Sequence, residues 1–336
     1  MEKSLGFLHY GVIMKPTIVI YDGDALSYRA SAATEKRTVE VTHVPTGKTK
    51  IFKTRTECKA ALNAKQKVFE PDVYKFKDLQ EPEPISHTIN IMKNQISKIN
   101  DALFADEYLI CLSGKTNHRD DLPLPSKYKG NREGLIRPLN LQEAKMHLYK
   151  HHPSLVALHR EADDDLIIKG YEYQAKGYEV ILASQDKDAR AYSGLTLLDF
   201  TQDNPKLELM PEFGYLEDTG KKITGVGFLW FAMQWLNGDS TDNYKPSELS
   251  RKKFGEKSAY YLLKDSKNEK EAIEAVVKQY KDWYGNGVKY VDCFGVERFV
   301  KHDFLLDIYY RCARMMTTDD DPLDYRLMLE KYGVTL

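Results

Sequence analysis

Closely spaced carboxylates recur at four places in this sequence. The densest cluster is Arg160-Glu161-Ala162-Asp163-Asp164-Asp165, and an apolar run, Leu166-Ile167-Ile168, follows it at once. Taken alone, this cluster is ambiguous, because acidic residues are also favoured in the first turn of a helix. Carboxylate oxygens are equally the ligands that Mg²⁺ prefers in proteins. The other three clusters help to decide between a helix start and a cation site.

Two further clusters each follow a short apolar run. Residues 17–21 lead into Asp22-Gly23-Asp24, and residues 178–183 lead into Ser184-Gln185-Asp186-Lys187-Asp188. An apolar run of this length predicts a strand that is buried on both faces, as in a parallel sheet. Ligands of such sheets sit beyond the carboxyl ends of the strands. Both aspartate pairs are therefore expected at the same edge of one sheet.

The fourth cluster is Gly238-Asp239-Ser240-Thr241-Asp242-Asn243. It follows an apolar, aromatic run over residues 228–236, which predicts a helix. Residues three apart can point the same way on a turn or a first helical turn, so Asp239 and Asp242 are expected to face one ligand. Together and in this order, the four clusters indicate a cation site much more specifically than any single cluster does.

The order of the clusters resembles that of the flap endonuclease and 5′→3′ exonuclease superfamily of PIN-like nucleases, and within it the phage-encoded 5′→3′ exonucleases. The resemblance runs from about Ile18 to Asn243, and more faintly to about Met316. It implies hydrolysis of phosphodiester bonds at or near 5′ ends with two magnesium ions, for which manganese can substitute.

The resemblance also implies a set of metal ligands. One half of the metal site would be Asp22, Glu161, Asp163 and Asp164, and the other half Asp186, Asp188, Asp239 and Asp242. Many relatives carry a further aspartate where this chain has Ser113-Gly114, and Asp24 is the candidate that would replace it.

A long basic segment over residues 114–132 follows a strand predicted at residues 108–112. Its length, charge and prolines are typical of an exposed functional loop. A surface loop without a function is an alternative of equal weight. Its Tyr128-Lys129-Gly130-Asn131-Arg132 matches the family's arch over the active site. By this resemblance Lys129 and Arg132 would contact the scissile phosphate and Tyr128 would stack on a base. Arg119 is a weaker candidate for substrate binding.

The alternation of predicted strands and helices favours an α/β fold with a mostly parallel central sheet and flanking helices. Apolar residues at helical spacing, for instance, predict a core-facing helix over Ile85–Leu103. By resemblance the fold is PIN-like, with a helical arch and a C-terminal helical domain of the helix-turn-helix type that binds DNA. The predicted division is an N-terminal extension (1–16), a nuclease domain (17–222) with a hairpin insertion at about 36–80 and the arch at about 114–150, and a helical DNA-binding domain (223–336).

A helix start at Phe254-Gly255-Glu256-Lys257 is the predicted duplex contact of the second domain. Backbone N–H groups near Gly255 could hold a phosphate, and Lys252, Lys253 and Lys257 add positive charge. Relatives have a glycine-rich turn directly after the fourth acidic cluster. This chain has Tyr244-Lys245-Pro246-Ser247-Glu248 there, without those glycines.

Composition sets bounds on the partners. The 336 residues carry a formal net charge of -1, which argues neither for nor against nucleic acid. The four cysteines form no C-x-x-C pair, so neither a zinc site nor a disulfide framework is indicated. No apolar run is long enough to span a membrane, and we do not expect the first residues to act as a signal peptide. We expect a monomer in the cytoplasm of an infected bacterial cell, acting on DNA with 5′ ends, gaps or flaps and on RNA–DNA hybrids.

Two alternatives are weighed against this interpretation. The first is a catalytically inactive nuclease-like module that binds branched DNA, although loss of activity usually removes ligands and nearly all are present here. The second is a small toxin-type ribonuclease with the same acidic sheet edge. The length of the chain and its segment Tyr128-Lys129-Gly130-Asn131-Arg132 disfavour this second alternative.

Overall fold

The structure is a computed structural model, and it describes residues 15–64, 70, 72–202 and 205–336. All but the last two residues of the predicted N-terminal extension therefore lie outside the described residues. Within the described part of the chain, no helix combines the length and the apolar character needed to cross a membrane.

Thirteen strands and ten helices make up the described chain. The strands are β1 (Thr17–Asp22), β2 (Glu35–His43), β3 (Lys48–Phe52), β4 (Tyr74–Pro82), β5 (Glu107–Leu112), β6 (Ser154–Val156), β7 (Glu179–Ala183), β8 (Thr196–Leu198), β9 (Leu207–Leu209), β10 (Tyr215–Asp218), β11 (Ile223–Val226), β12 (Val288–Val291) and β13 (Glu297–Val300). The helices are α1 (Gly23–Ala33), α2 (Arg55–Asn63), α3 (Ile85–Leu103), α4 (Leu141–His151), α5 (Ala162–Ala175), α6 (Gly227–Asn237), α7 (Glu256–Leu263), α8 (Glu269–Tyr284), α9 (His302–Ala313) and α10 (Tyr325–Tyr332).

A six-stranded sheet in the order β6-β5-β1-β7-β8-β9 forms the centre of the fold. All neighbouring pairs are parallel except β8 and β9, which run antiparallel. Asp22 pairs with Cys111, and Tyr21 pairs with Ala183, so β1, β5 and β7 end at the same level. The mostly parallel central sheet is confirmed. The Asp22-Gly23-Asp24 and Asp186-Lys187-Asp188 clusters follow strands that end at the same edge of this sheet, as predicted.

Both faces of this sheet are buried, which explains the uninterrupted apolar runs. Successive side chains of a strand point to opposite faces. Val19 and Tyr21 of β1 pack in one core with Met92 of α3, while Ile18 packs in a second core with Leu166 of α5. Helices on both faces of a parallel sheet are the usual arrangement for such strands.

A second small sheet is inserted between α1 and α3. The hairpin predicted from the turn Pro45-Thr46-Gly47-Lys48 is present as the antiparallel pair of β2 and β3, and β4 pairs with the other edge of β2. Val39, Val41 and Cys58, which lies on α2, form a core that is separate from the central one.

The C-terminal part is mainly helical. Its core contains Trp235 of α6, Tyr280 of α8 and Tyr309 of α9. Amphipathic patterns in the sequence predict helices over Glu269–Tyr284 and over His302–Met316. Helix α8 has the first of these predicted ranges, whereas α9 ends at Ala313, three residues before the expected end. Two hairpins, β10–β11 and β12–β13, were not foreseen, and the β10–β11 hairpin spans the domain boundary predicted between residues 222 and 223. The division into domains stays a prediction.

The segment predicted as a helical arch has a different form in the structure. Between β5 and α4 it contains only two short 3-10 turns, over His118–Asp121 and Gly130–Arg132. Proline at 123 and 125 removes backbone donors that a helix would need. Leu122, Leu124 and Tyr128 are buried in the core of the helical part. The part of the predicted arch before α4 is therefore a loop packed against the helical part, and α4 (Leu141–His151) forms the rest of the segment.

Candidate metal centre

Four chain segments bring carboxylates to the carboxyl edge of the central sheet. Asp22 ends β1 and caps α1, where its Oδ1 accepts a hydrogen bond from the Ala25 amide at 2.9 Å. The segment that starts α5 supplies Glu161 and Asp163, the segment after β7 supplies two aspartates, and the turn after α6 supplies two more. Carboxylates from these four segments therefore lie close together at the edge of the sheet.

Six of the nine predicted ligands line one cavity of about 140 Å³. These six are Glu161, Asp163, Asp186, Asp188, Asp239 and Asp242. Asp22 lies beside them: its Oδ2 accepts a hydrogen bond from Ser184 Oγ at 3.3 Å, and the Ser184 oxygen also accepts from the Asp186 amide at 3.0 Å. The structure thus brings together seven of the nine carboxylates.

Within this cavity, Asp188, Asp239 and Asp242 are grouped most tightly. Each offers one carboxylate oxygen such that all three oxygens lie within 4.8 Å of one another. The Thr241 amide donates to Asp239 Oδ1 at 2.7 Å, and the Gln234 side-chain amide donates to Asp188 Oδ1. These hydrogen bonds leave other carboxylate oxygens available, so the group could hold a metal ion.

Burial and mutual repulsion raise the pKa of several cavity carboxyls. Burial, together with the neighbouring charges of Asp24 and Asp186, raises the pKa of Asp22 to about 7. Burial and the charge of Asp186 raise the pKa of both Asp163 and Asp188 well above the ordinary value. Burial and repulsion disfavour the ionised form of these carboxyl groups, and a bound cation would stabilise that ionised form.

Four side-chain cations contact the cavity carboxylates, and one of them, Arg119, lies with its Nη1 3.7 Å from Glu161 Oε2. Lys129 Nζ pairs with Glu161, Arg132 Nη2 lies 2.6 Å from Asp242 Oδ1, and Lys187 Nζ lies 2.9 Å from Asp239 Oδ2. Burial opposes ionisation of Asp239, but Lys187 outweighs it and holds the pKa of Asp239 below its usual range. Lys129 and Arg132 thus lie at the cavity, as predicted, although they contact carboxylates there.

Tyr128 lies at the cavity in a different role from the predicted one. Its side chain is buried, at 3% exposure, and packs in the core of the helical part. Its hydroxyl donates to Asp242 Oδ2 at 2.7 Å and lies 3.2 Å from Glu161 Oε2. A buried ring cannot stack on a nucleobase, so the base-stacking role is wrong for this conformation. The hydroxyl orients two carboxylates instead.

Asp164 and Arg119 contradict the roles predicted for them. Asp164 does not line the cavity, and its two oxygens accept hydrogen bonds from Arg119, from the Glu161 amide and from the Met316 amide. A carboxylate that accepts four hydrogen bonds has little capacity left for a metal ion. Arg119 lines the cavity, but its side chain is 2% exposed and its guanidinium already donates to Asp164 and to the Arg314 carbonyl, so in this structure it is not free to bind a substrate phosphate.

Asp24 also lies outside the cavity. Its Oδ1 is 2.7 Å from Lys145 Nζ on α4 and accepts from the Ser113 amide at 3.3 Å. It therefore contacts Ser113, next to the place where relatives carry an aspartate, but does not join the six cavity carboxylates. Asp24 is thus placed as the partner of Lys145.

The predicted duplex contacts lie on the helical part, apart from the cavity. Gly255 precedes α7 as its N-cap, and a Cβ added there would meet no atom within 4 Å. Lys252 Nζ donates to the Asp282 carbonyl at 3.1 Å, and Lys257 Nζ lies 3.9 Å from Asp218. Lys253 is exposed. These residues form a basic surface next to an open helix start.

Sequence reasoning missed two residues of the site, Lys187 and Gln234, and it also missed Lys145, the partner of Asp24 outside the cavity. Lys187 lies between two predicted ligands, so its position alone could have identified it. Gln234 is a single amide within the apolar helix α6, which is a signal for a buried polar contact. Lys145 has no comparable signal, because its partner Asp24 is 121 positions away in the chain.

The donors present fit a hard divalent cation. Carboxylates and backbone oxygens with room for water suit magnesium or manganese, whereas the cavity contains no histidine or free thiolate that a softer metal would favour. Cys312 lines the cavity, but burial raises the pKa of its thiol well above the ordinary value. An acidic cavity with raised carboxyl pKa values is the environment that such an ion would stabilise.

Comparisons with known proteins give matches only among solved structures. No protein-family model and no curated protein matches the sequence. A mutant of the bacteriophage T5 5′-exonuclease is 13% identical, with a TM-score of 0.44, and the match covers 96% of this chain and 94% of that chain. A bacteriophage T5 flap endonuclease variant, in a pseudo-enzyme–product complex with DNA and metal ions, is 14% identical, with a TM-score of 0.44 and coverage of 94% and 99%. The T5 5′-exonuclease with bound zinc is 15% identical, with a TM-score of 0.43 and coverage of 89% and 100%. Over most of its length, the chain is similar to solved 5′-exonuclease and flap endonuclease structures of bacteriophage T5.

Proposed function

We propose that the chain is a divalent-metal-dependent 5′→3′ exonuclease or structure-specific 5′ nuclease that hydrolyses phosphodiester bonds in DNA. The cavity carries this proposal, because it joins six carboxylates to Lys129 and Arg132 within one small volume. Clustered carboxylates and nearby cations are the parts that metal-assisted phosphodiester hydrolysis requires. The 5′ polarity follows from the resemblance of the four acidic clusters rather than from the geometry.

Each group in the cavity has a role in this proposal. The six cavity carboxylates, with Asp22 in support, would hold two magnesium ions, or manganese in their place. Bound magnesium would supply a Lewis acid that activates water and stabilises the leaving oxygen. Lys129 and Arg132 would turn from Glu161 and Asp242 towards the scissile phosphate once metal neutralises the carboxylates.

Substrate binding is proposed to extend over the helical part. The basic surface near Gly255 would hold the duplex backbone through Lys252, Lys253 and Lys257. The substrates would be DNA with 5′ ends, gaps or flaps, and RNA–DNA hybrids. We place the protein, as a monomer, in phage DNA replication or recombination in the cytoplasm of an infected bacterial cell.

One observation favours an alternative, an inactive module that binds branched DNA. Lys129, Arg132 and Lys187 already pair with three cavity carboxylates, so these side chains could serve as permanent substitutes for metal. An inactive protein would bind branched DNA equally well with and without magnesium, and its acidic cavity would be dispensable.

Cleavage of labelled DNA separates the two functions. Blunt, nicked and 5′-flap duplexes, labelled at one end of one strand at a time, are incubated with magnesium or with EDTA. We expect products that begin at the 5′ end, only with magnesium, and no products from Asp188→Asn. Asp265→Asn, on an exposed carboxylate remote from the cavity, is the matched control and should cleave normally. Metal-independent cleavage, or full activity of Asp188→Asn, would contradict the proposal, and branched-DNA binding without any cleavage would establish the inactive module.

A further inference from the structure

Arg119 and Asp164 form a buried ion pair beside the acidic cavity. The Arg119 side chain is 2% exposed and the Asp164 side chain 0% exposed. Arg119 Nη1 lies 2.7 Å from Asp164 Oδ2, and Nη2 lies 3.0 Å from Asp164 Oδ1. Two parallel hydrogen bonds between a guanidinium and a carboxylate fix the orientation of both groups.

This pair joins three segments that are far apart in the chain. Arg119 follows β5, and Asp164 lies in the first turn of α5. Arg119 Nη2 also donates to the Arg314 carbonyl, at 2.7 Å, just after α9. The Met316 amide donates to Asp164 Oδ1 at 2.9 Å. The end of α9 is thereby tied to the start of α5.

The start of α5 is the segment that supplies Glu161 and Asp163 to the cavity. Asp164 Oδ2 accepts a hydrogen bond from the Glu161 amide at 3.0 Å, so Asp164 fixes the backbone at this point. In the described part of the chain, the Asp163 side chain makes no hydrogen bond or ion pair. The backbone that Asp164 holds is therefore the main restraint on the position of the Asp163 carboxylate.

We propose that Arg119 is a positioning residue, which acts through Asp164, and through its own Nη1 contact with Glu161 Oε2 at 3.7 Å, to hold Glu161 and Asp163 in the arrangement that a divalent ion requires. This proposal concerns the metal ligands of the proposed nuclease, and it rests on that proposed function. A buried ion pair is weak evidence for stability, because an apolar pair of similar volume is often equally stable. The two-point contact and the backbone hydrogen bonds suit a different task, which is orientation of the cavity ligands.

Arg119→Lys tests this role with little risk to folding. Lysine keeps the positive charge next to Asp164 but cannot make the two-point contact. Arg160→Lys is the matched control. Arg160 also pairs with an aspartate at this helix start, Asp165, but Asp165 does not line the cavity. Binding of Mn²⁺ without DNA is measured by the electron paramagnetic resonance signal of the free ion, and kcat and KM are measured against magnesium concentration.

Loss of a group that orients metal ligands typically weakens metal binding by about 10- to 100-fold. For Arg119→Lys we expect Mn²⁺ binding weaker by about tenfold or more, a similar rise in the magnesium needed for half-maximal rate, and an almost unchanged KM for DNA. Arg160→Lys should bind Mn²⁺ as the wild type does. Wild-type Mn²⁺ binding in Arg119→Lys would overturn the proposal, as would a higher KM for DNA with unchanged Mn²⁺ binding, since that pattern identifies a substrate contact.

A double variant, Arg119→Met with Asp164→Leu, guards against a folding defect, because it removes both buried charges together. It should fold, by circular dichroism, and lose Mn²⁺ affinity at least as strongly as Arg119→Lys. If neither variant folds, the pair is only structural and the proposal is overturned. A wild-type protein that binds Mn²⁺ without cleaving DNA would instead contradict the proposed function and leave the positioning result standing.

Discussion

At the scale of single residues, Lys129 and Arg132 are the cations best placed to meet a phosphate. Their side chains are 24% and 39% exposed, and both contact carboxylates that line the cavity. Each is therefore close to the metal ligands while remaining partly open to solvent. A cation in this position can serve as a temporary partner of the carboxylates and then stabilise charge on a reacting phosphate.

Lys129→Ala and Arg132→Ala should each slow cleavage strongly. Loss of one positioned charge in a catalytic array costs on the order of a hundredfold in rate. Lys127→Ala is the matched control, because Lys127 lies on the same loop but pairs with Glu133 outside the cavity. Single-turnover cleavage at saturating magnesium measures the effect. Wild-type rates in both site variants would remove these two residues from the mechanism.

Repulsion among the cavity carboxyls makes the stability of the metal-free protein depend on pH. Asp22, Asp163 and Asp188 have a higher pKa in the folded protein than the ordinary value, so the folded protein holds these protons more tightly than the unfolded chain. The free energy of unfolding in EDTA should therefore increase as the pH falls from about 8.5 to about 7. Below about pH 6.5 the half-buried His118, whose pKa is lowered to about 4 chiefly by desolvation, acts in the opposite direction.

Asp163→Asn tests this origin of the pH dependence. The variant removes one of the repelling charges without removing a hydrogen bond of the described chain, so in EDTA at pH 8.5 it should be more stable than the wild type. Its free energy of unfolding should vary less between pH 8.5 and 7, and its cleavage activity should be lost. Urea denaturation gives both values, with Asp265→Asn as the control. A metal-free Asp163→Asn protein that is less stable than the wild type would show that Asp163 is a structural residue.

At the scale of elements, the close approach of α1 to β5 decides where Asp22 lies. Gly23, the first residue of α1, lies against β5: a Cβ there would be 2.5 Å from Ile110 Cγ2 and 2.8 Å from the Cys111 carbonyl oxygen. Contacts this short force the helix and the strand apart. Because Asp22 both ends β1 and caps α1, a shift of α1 would also move the Asp22 carboxylate.

Gly23→Ala should therefore lower both stability and activity. Overpacking of a well-packed core costs about 1–3 kcal/mol, which thermal denaturation will detect. Gly255→Ala is the stability control, since an added Cβ meets no atom within 4 Å there. Equal melting temperatures for Gly23→Ala and the wild type would show that α1 and β5 can separate without cost.

At the scale of the whole molecule, charge is divided between two surfaces. The formal net charge is -1, yet the acidic cavity and the basic surface near Gly255 lie on different parts of the fold. This separation allows a protein with almost no net charge to attract a polyanion at one place and a cation at another.

Duplex binding, measured in calcium to prevent cleavage, should weaken linearly on a log–log plot against salt. Each lysine that contacts a phosphate adds to the slope, because it releases condensed counterions. Charge reversal of Lys252, Lys253 and Lys257 together should flatten the slope. Charge reversal of Lys98 and Lys176, which are exposed near the C-terminal ends of α3 and α5, is the control and should leave it unchanged. An unaltered slope in the triple variant would exclude this surface from DNA binding.

The sequence by itself determined the sheet and the shared edge of the acidic clusters. Apolar runs of strand length, each followed by aspartates, specify buried parallel strands with polar carboxyl ends, and that pattern is local. Helical spacing also predicted α3 and α8 with their observed bounds. Such features depend on residues that are neighbours in the chain, so they can be identified without the fold.

Only the tertiary structure decided which carboxylates face the cavity. Asp163 and Asp164 are adjacent on a helix, where successive side chains point about 100° apart, so one lines the cavity and the other meets Arg119. The burial of Tyr128 depends on α6 and α9, more than 90 positions away in the chain. The pairing of Lys187 with Asp239 likewise joins residues from two segments. Partners of this kind are set by packing between distant segments, and no local pattern in the sequence contains that information.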